Sequence, residues 1–233
     1  MMRNLMLVLA YDGTDFHGWQ YQPGIRTVQE CVEIALRRTV RHRVAIVGCS
    51  RTDAGVHAAG YVANLYTTSP TPDLGIARSL AARLPPDLAL VHLEEVPLTF
   101  HAPQSAISKL YRYRIHDAGR RPVDRFCHRH VYHPRHSMEI DRMREAAAHL
   151  VGRHDFTSFA SAGVERQSNV RTIHRIDLTR AGPEIRIDVE GDGFLYKQVR
   201  NIVGTLCEIG RGHWAPDRAG AILAARDRAQ AGP

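Results

Sequence analysis

The chain has 233 residues, a formal net charge of +7, 14 histidines and a sequence pI of about 9.6. Its 44% of hydrophobic and 24% of charged residues are ordinary for a globular protein with a substantial core. No apolar run approaches the roughly 20 residues that a bilayer span needs. The basic balance favours a polyanionic partner, because neutralising phosphates releases counterions, although an arginine-rich genome also explains much of the excess.

The cysteines and the N-terminus indicate a cytoplasmic protein. Four scattered cysteines, at positions 31, 49, 127 and 207, form no Cys-x-x-Cys pair, which argues against a disulfide framework and a zinc finger. The apolar N-terminus runs directly into Tyr11-Asp12-Gly13-Thr14-Asp15 without a small-residue cleavage site. We therefore interpret it as a buried first strand and not as a signal peptide.

Hydrophobic periodicity in the first hundred residues predicts a strand, a helix, two strands, a helix and a closing strand. Thr27 is a candidate N-cap of the first helix, and Pro85-Pro86 ends the second. In chain order, the predicted elements cover residues 5–11, 28–40, 44–49, 56–66, 74–84 and 88–96.

A similar order recurs in the second half of the chain. The pattern predicts a strand over 110–116, a helix over 140–151, a hairpin of 173–179 with 184–190, a helix over 194–209 with Gly210 as its C-cap, and a last helix over 216–226. We therefore predict an α+β fold of two split βαβ halves (RRM-like or ferredoxin-like), 1–104 and 105–233. The two halves are expected to form a largely antiparallel sheet with helices on one face. A long irregular stretch over 117–137 interrupts the second half, and loops of that length are usually functional or mobile.

The densest polar cluster between apolar strands is Ser50-Arg51-Thr52-Asp53-Ala54-Gly55-Val56-His57-Ala58. Gly55 allows a sharp turn and a close approach of the backbone to a ligand. A carboxylate at Asp53 flanked by Arg51 and His57 would be kept ionised by the nearby positive charge. The structural alternative is an aspartate that only caps a turn, and for an arbitrary Asp-x-Gly that alternative is the better one.

The residues around Asp53 resemble the signature of the TruA family of tRNA pseudouridine synthases, and further matches follow in the order that the family has. Chance does not explain so many matching motifs in the same order, and together they span essentially the whole chain. The matching segments are residues 11–20, Thr27-Val28-Gln29-Glu30, Arg51-Thr52-Asp53-Ala54-Gly55-Val56-His57, Phe100-His101-Ala102 with Lys109-Leu110-Tyr111-Arg112-Tyr113, residues 152–159 and residues 193–206.

The resemblance implies roles for four residues. Asp53 matches the catalytic aspartate of the family, and Tyr111 matches the tyrosine expected to stack on the extruded base. Arg200 matches the arginine that pairs with the catalytic carboxylate, for which a planar guanidinium is well suited. Arg51 matches an arginine thought to help evict the target nucleotide, although an arginine bound to phosphate would look identical in the sequence.

The implied reaction converts uridine into its C-glycoside isomer in the anticodon stem-loop of tRNA, at the family's positions 38–40. No electrons move overall, so no redox cofactor is needed, and the family uses no metal. The target base must leave the RNA stack to be reached. The carboxylate could then attack C1′ or remove a proton from C2′, and the sequence leaves both routes open. The family also works as a homodimer.

A histidine-rich stretch is the strongest competing signal. Cys127, His128, His130, His133 and His136 could act as metal ligands. Interleaved arginines at 125, 129 and 135 oppose cation binding, so we interpret the stretch as a loop that faces tRNA phosphates. A metal-dependent nuclease built on this loop is the remaining alternative, and it predicts chelator-sensitive cleavage of RNA.

Two positions depart from the family pattern. The family usually has an arginine after Phe-His-Ala, where this chain has Pro103. Family members also continue beyond a segment like the one ending at Pro233 into a further strand, whose absence would leave an exposed sheet edge. A second hypothesis is therefore a tRNA-binding or tRNA-folding protein that keeps the scaffold without turnover.

Overall fold

The computed structural model describes residues 1–117, 129–161 and 167–233. The chain divides into two compact units, Met1–Ala106 and Ile107–Pro233. Each unit has its own four-stranded antiparallel sheet and its own hydrophobic core. The predicted α+β class with split βαβ halves is confirmed. No helix among the described residues is long and apolar enough to cross a membrane.

The first unit follows the predicted order of elements closely. Thr27 caps α1 by accepting a hydrogen bond from the backbone N–H of Glu30, as predicted. The elements are β1 (Arg3–Tyr11), α1 (Val28–Val40), β2 (Ile46–Gly48), β3 (Ala58–Thr67), α2 (Asp73–Ala81), β4 (Leu88–Val96) and the short α3 (Ala102–Ser105).

The sheet of the first unit has the strand order β2-β3-β1-β4 with every pair antiparallel. Alternate residues of β1, namely Leu5, Leu7 and Leu9, are completely buried in one core cluster. Both α1 and α2 bury residues in that cluster, so the two helices cover the same face of the sheet.

The opposite face of this sheet holds a buried pair of asparagines. Asn64 Nδ2 donates to Asn4 Oδ1 at 2.9 Å, and both side chains are fully buried. Asn4 Nδ2 donates to the carbonyls of Pro97 and Phe100, and Asn64 Oδ1 accepts from the N–H of Ala102. Buried amides need such partners, so this network fixes the segment 97–102 against the sheet.

The second unit contains β5 (Lys109–His116), α4 (Ile140–Ala148), β6 (Gly152–Asp155), β7 (Val170–Ala181), β8 (Glu184–Gly191), α5 (Gln198–Gly210) and α6 (Arg218–Ala225). Its sheet has the order β5-β8-β7-β6. The inward residues of β8 (Ile185, Ile187 and Val189) pack with α4, α5 and α6 in one cluster, so these helices also lie on one face.

Three details of the second unit differ from the sequence prediction. The short strand β6 was not predicted. Helix α5 begins at Gln198 and not at Phe194, because Lys197 adopts a left-handed conformation (φ 59°) that ends the preceding irregular segment. Gly210 is the last residue of α5 and not its C-cap, which is Arg211. A Cβ at Gly210 would lie 2.7 Å from Met143 Sδ, so a larger residue there would force the side chain of Met143 to shift.

The outer face of the second sheet carries cross-strand ion pairs. Arg112 on β5 binds Asp188 on β8 with two hydrogen bonds of 2.6 and 2.7 Å, and Arg114 binds Glu184 in the same way at 2.6 and 3.1 Å. The bound guanidinium groups hold the pKa of Asp188 and the pKa of Glu184 below their usual values. The positive charges on this face are largely neutralised by its own carboxylates. The other charged residues that form ion pairs on it are Arg175, Arg186, Asp177 and Glu190.

These pairs predict a loss of stability in acid. The depressed pKa of each carboxyl in the folded state stabilises the protein above the unfolded-state pKa of about 4, and this stabilisation is lost as the pH falls through the lower folded-state pKa. Urea unfolding followed by circular dichroism should give a lower free energy of unfolding at pH 3 than at pH 7. Asp188→Asn should reduce this difference by about 1 kcal/mol, since the pair is partly exposed. If the free energy of unfolding of Asp188→Asn depends on pH as in wild type, the ion pair of Asp188 with Arg112 is not a source of the acid sensitivity.

Candidate active site

The loop that carries Asp53 joins β2 to β3 in the first unit. Ala54 and Gly55 form a turn, which the N–H of Val56 closes by donating to the carbonyl of Asp53 at 3.2 Å. Gly55 has a φ of +76°, in the left-handed region that favours glycine. The turn therefore places the side chain of Asp53 at one end of the sheet, as expected from the sequence.

The N-terminal segment 11–19 supports this loop through its backbone. The N–H of Trp19 donates to the carbonyl of Thr52 at 3.0 Å, and the N–H of Gly55 donates to the carbonyl of Phe16 at 3.2 Å. The two segments approach so closely that neither of two glycines has room for a side chain. A Cβ at Gly13 would lie 2.0 Å from the carbonyl oxygen of Val56, and one at Gly18 would lie 2.6 Å from that of Thr52.

Two tyrosine side chains add to this support on the segment that precedes Asp53. The hydroxyls of Tyr11 and Thr52 are 2.9 Å apart, and the hydroxyl of Tyr61 donates to the carbonyl of Ser50. No role was expected for Tyr11 or Tyr61. Tyr11 belongs to the segment 11–20 that matches the family, whereas Tyr61 belongs to none of the matching segments. No local pattern shows that Tyr11 will meet a loop some 40 positions away.

His57 contacts a different aspartate from the one that the sequence suggested. Its Nδ1 lies 3.0 Å from Asp12 Oδ1 and 3.1 Å from the backbone nitrogen of Gly13. A neutral ring would accept from the Gly13 N–H, whereas a protonated ring would donate to Asp12. Asp53 forms an ion pair with neither His57 nor Arg51, and the expectation that their charge keeps it ionised stays a prediction. His57 instead ties the loop to the segment that begins at Asp12.

The carboxylate of Asp53 is partly buried and has no partner of its own within its unit. Residues 1–106 are all described, and none of them forms a hydrogen bond or ion pair with this side chain. No residue of this unit therefore prevents either carboxylate oxygen from binding a ligand. Arg51 is exposed and likewise forms no ion pair within residues 1–106.

Tyr111 and Arg200 lie in the second unit. Tyr111 is on β5, where its partly buried ring packs edge-on against Phe194 with the ring centroids 5.3 Å apart. Arg200 is the third residue of α5 and is exposed, whereas its neighbours Val199 and Ile202 are buried in the core. Arg200 forms no ion pair with the described residues of its own unit, and its expected pairing with a catalytic carboxylate stays a prediction.

Part of the histidine-rich stretch lies outside the described residues, including Cys127 and His128. Among the rest, the rings of His133 and His116 are 5.3 Å apart, and the Nε2 atom of each is buried without a hydrogen-bond partner among the described residues. Within the described part of the second unit, no three potential ligand atoms lie close enough together to hold one metal ion.

Comparison with known proteins gives consistent matches over nearly the whole chain. A family model described as tRNA pseudouridine synthase matches residues 7–103 and 146–233. Asp53 and Arg200 lie within these two stretches, and Tyr111 lies between them. The chain therefore belongs to the tRNA pseudouridine synthase family.

Individual relatives in this family carry a more specific name. A protein of Acetivibrio thermocellus named tRNA pseudouridine synthase A is 41% identical over 231 residues, which cover 99% of this chain and 94% of the relative. Proteins of the same name from Brevibacillus brevis and, as tRNA pseudouridine synthase A 2, from Clostridium perfringens are 44% and 40% identical, with the same coverage of 99% and 94%.

Proposed function

We propose that this chain is an isomerase that converts uridine to pseudouridine in tRNA, with Asp53 as its catalytic carboxylate. The observation that carries the proposal is the family match through both units, in which the aspartate of the matched motif lies on a tightly supported turn. A carboxylate oxygen that has no partner in its own unit is suited to act on a substrate atom. The binding-only alternative has no comparable observation in its favour.

The chemistry requires the N1–C1′ glycosidic bond to break, the uracil to rotate and a C5–C1′ bond to form. The C5 hydrogen leaves as a proton, and N1 of the product carries a proton in its place, so the reaction has no net oxidation or reduction. Asp53 would act either by bonding covalently to C1′ and being displaced later, or by removing a proton from C2′ and returning it. Both routes need the carboxylate ionised and close to the sugar.

The other family residues would bind the substrate. Tyr111 offers a ring that is already held by Phe194, which suits stacking on an extruded uracil. Arg200 provides a bidentate donor without an ion-pair partner among the described residues of its unit, which suits binding of a carboxylate or phosphate. Arg51, exposed in the loop beside Asp53, would contact the target nucleotide or a phosphate next to it.

The distribution of charge supports an RNA substrate. Residues 107–233 contain 22 lysines and arginines against 15 acidic residues, whereas residues 1–106 contain nine of each, so the second unit carries the whole excess of +7. Such an excess favours binding to a phosphate backbone. The anticodon stem-loop as target, positions 38–40 as the modified sites, a homodimer and a cytoplasmic location are part of the same proposal.

Release of tritium from tRNA containing 5-tritiated uridine tests the function directly, because forming the C5–C1′ bond must expel the C5 hydrogen. We expect release from an unmodified tRNA with uridines at positions 38–40 and none from the same tRNA with cytidines there. Tritium release that persists with the cytidine-containing tRNA would contradict the proposal that positions 38–40 are the modified sites. Binding of tRNA by the folded chain with no release from either tRNA would favour the binding-only alternative, and cleaved RNA that chelator protects would favour the nuclease.

A further inference from the structure

We propose that Tyr11 and Tyr61 are positioning residues whose hydroxyl groups hold the segment that leads into Asp53, in the loop between β2 and β3. The inference rests on the proposed catalytic role of Asp53. Neither tyrosine would touch the substrate in this role, because both residues are only 4% exposed. They would act by fixing the backbone and side chains from which Asp53 extends.

The two tyrosines belong to a closely packed aromatic cluster. Their ring centroids are 5.9 Å apart, and the ring of Trp19 stacks on Tyr61 with a centroid distance of 4.1 Å. Gly48 lies directly against this cluster, where an added Cβ would clash with both Tyr61 and Trp19. Rings that are buried and in contact on several sides keep one rotamer, so their hydroxyl oxygens are fixed points.

Each hydroxyl bonds to a residue close to Asp53 in the chain. Tyr11 shares a hydrogen bond of 2.9 Å with the side chain of Thr52, the residue directly before Asp53. Tyr61 donates to the carbonyl of Ser50, three residues before it. One bond restrains the Thr52 side chain and the other the backbone that enters the turn, so together they fix the approach to Asp53.

Asp53 depends on such restraints because no residue of its own unit bonds to its carboxylate. Within its own unit, the position of this carboxylate is therefore set by the loop that carries it. A displacement of a reacting group by about 1 Å can lower a rate about 100-fold even when the substrate still binds. The hydroxyls are thus expected to affect turnover and to leave tRNA binding, which is spread over many phosphate contacts, unchanged.

The test uses variants that remove one hydroxyl and keep the packing. Tyr11→Phe keeps the ring in the cluster, and Thr52→Val removes the same hydrogen bond from its other end. Thr52→Ser keeps a hydroxyl at that end and serves as the conservative rescue. Tyr66→Phe is the matched control, because it removes a tyrosine hydroxyl of the same unit that bonds to the carbonyl of Leu98, away from the loop.

In the tritium-release assay we expect Tyr11→Phe and Thr52→Val each to lower kcat about 10- to 100-fold, with KM and the Kd for tRNA within about twofold of wild type. The double variant should be no slower than the slower single variant, since each single variant already lacks the hydrogen bond between Tyr11 and Thr52. Thr52→Ser should recover most of the rate, and Tyr66→Phe should match wild type. Tyr61→Phe should resemble Tyr11→Phe.

Two outcomes would overturn the positioning role. One is an unchanged kcat in Tyr11→Phe and Thr52→Val while Asp53→Asn is inactive. The other is a parallel loss of kcat and tRNA binding that Thr52→Ser does not reverse, since this would indicate only damage to the fold. If Tyr11→Phe fails to fold, the comparison of Thr52→Val with Thr52→Ser decides alone. Failure of the proposed function would be seen separately, as a wild-type chain that releases no tritium.

Discussion

Asp53→Asn is expected to lower the rate of tritium release from tRNA at least about 1,000-fold, while the Kd for tRNA stays within about twofold of wild type. The amide has nearly the shape of the carboxylate but can neither attack C1′ nor accept the C2′ proton. The substitution should not disturb the fold, because the Asp53 carboxylate forms no hydrogen bond or ion pair within residues 1–106. Single-turnover assays with excess enzyme measure the chemical step, and filter binding or fluorescence anisotropy measures the affinity.

Glu94→Gln is the matched control for this variant. It removes a carboxylate charge from the same unit at an exposed position of β4, where Glu94 lies 3.4 Å from His92. We expect wild-type release from it. Substantial release by Asp53→Asn would show that another group performs the chemistry. An equal loss of release and of tRNA binding would instead make Asp53 a residue of the binding surface.

Gly13→Ala is expected to destabilise the first unit by about 3 kcal/mol and to remove most of the activity. The new Cβ would lie 2.0 Å from the carbonyl oxygen and 2.5 Å from the carbonyl carbon of Val56, and a backbone group cannot move aside without moving the loop. The conformation of Gly13 itself is not the obstacle, since its φ is not positive. Thermal unfolding should show a melting temperature lower by roughly 5 to 10 °C.

Gly60→Ala provides the comparison for this prediction. Gly60 lies on β3 with no heavy atom within 4 Å of an added Cβ, and its φ is also not positive. This variant should melt within about 2 °C of wild type and keep full activity. A wild-type melting temperature and activity in Gly13→Ala would contradict the close approach of the two segments, and with it the way in which the loop is supported.

Local patterns were sufficient for most elements of the fold. The predicted bounds of α1 and β4 agree with the structure to the residue, and the Thr27 cap is confirmed. These segments are defined by the periodic spacing of their apolar residues, by an N-cap residue or by a preceding proline that ends a helix. All three signals act within a few residues. The hairpin of β7 and β8 was found for the same reason, because its turn residues and alternating strands are contiguous in the chain.

The errors arose where distant residues decide local structure. Strand β6 is only four residues long and exists because it pairs with β7. Gly210 looked like a helix cap but is the last residue of α5, where it lies against the side chain of Met143, more than 60 positions away. The contact of His57 with Asp12 was not predicted, because the approach of segment 11–19 creates it.

The sequence by itself determined the fold class, the family and the identity of the aspartate in the loop, because apolar periodicity and a motif of adjacent residues are contained in the chain order. Only the tertiary structure decided what holds that aspartate in place. The hydroxyls of Tyr11 and Tyr61, the two glycines without room for a side chain and the Asp12–His57 contact all join segments distant in sequence. Such contacts form only when the strands of the sheet pair in their final register, so no local pattern records them.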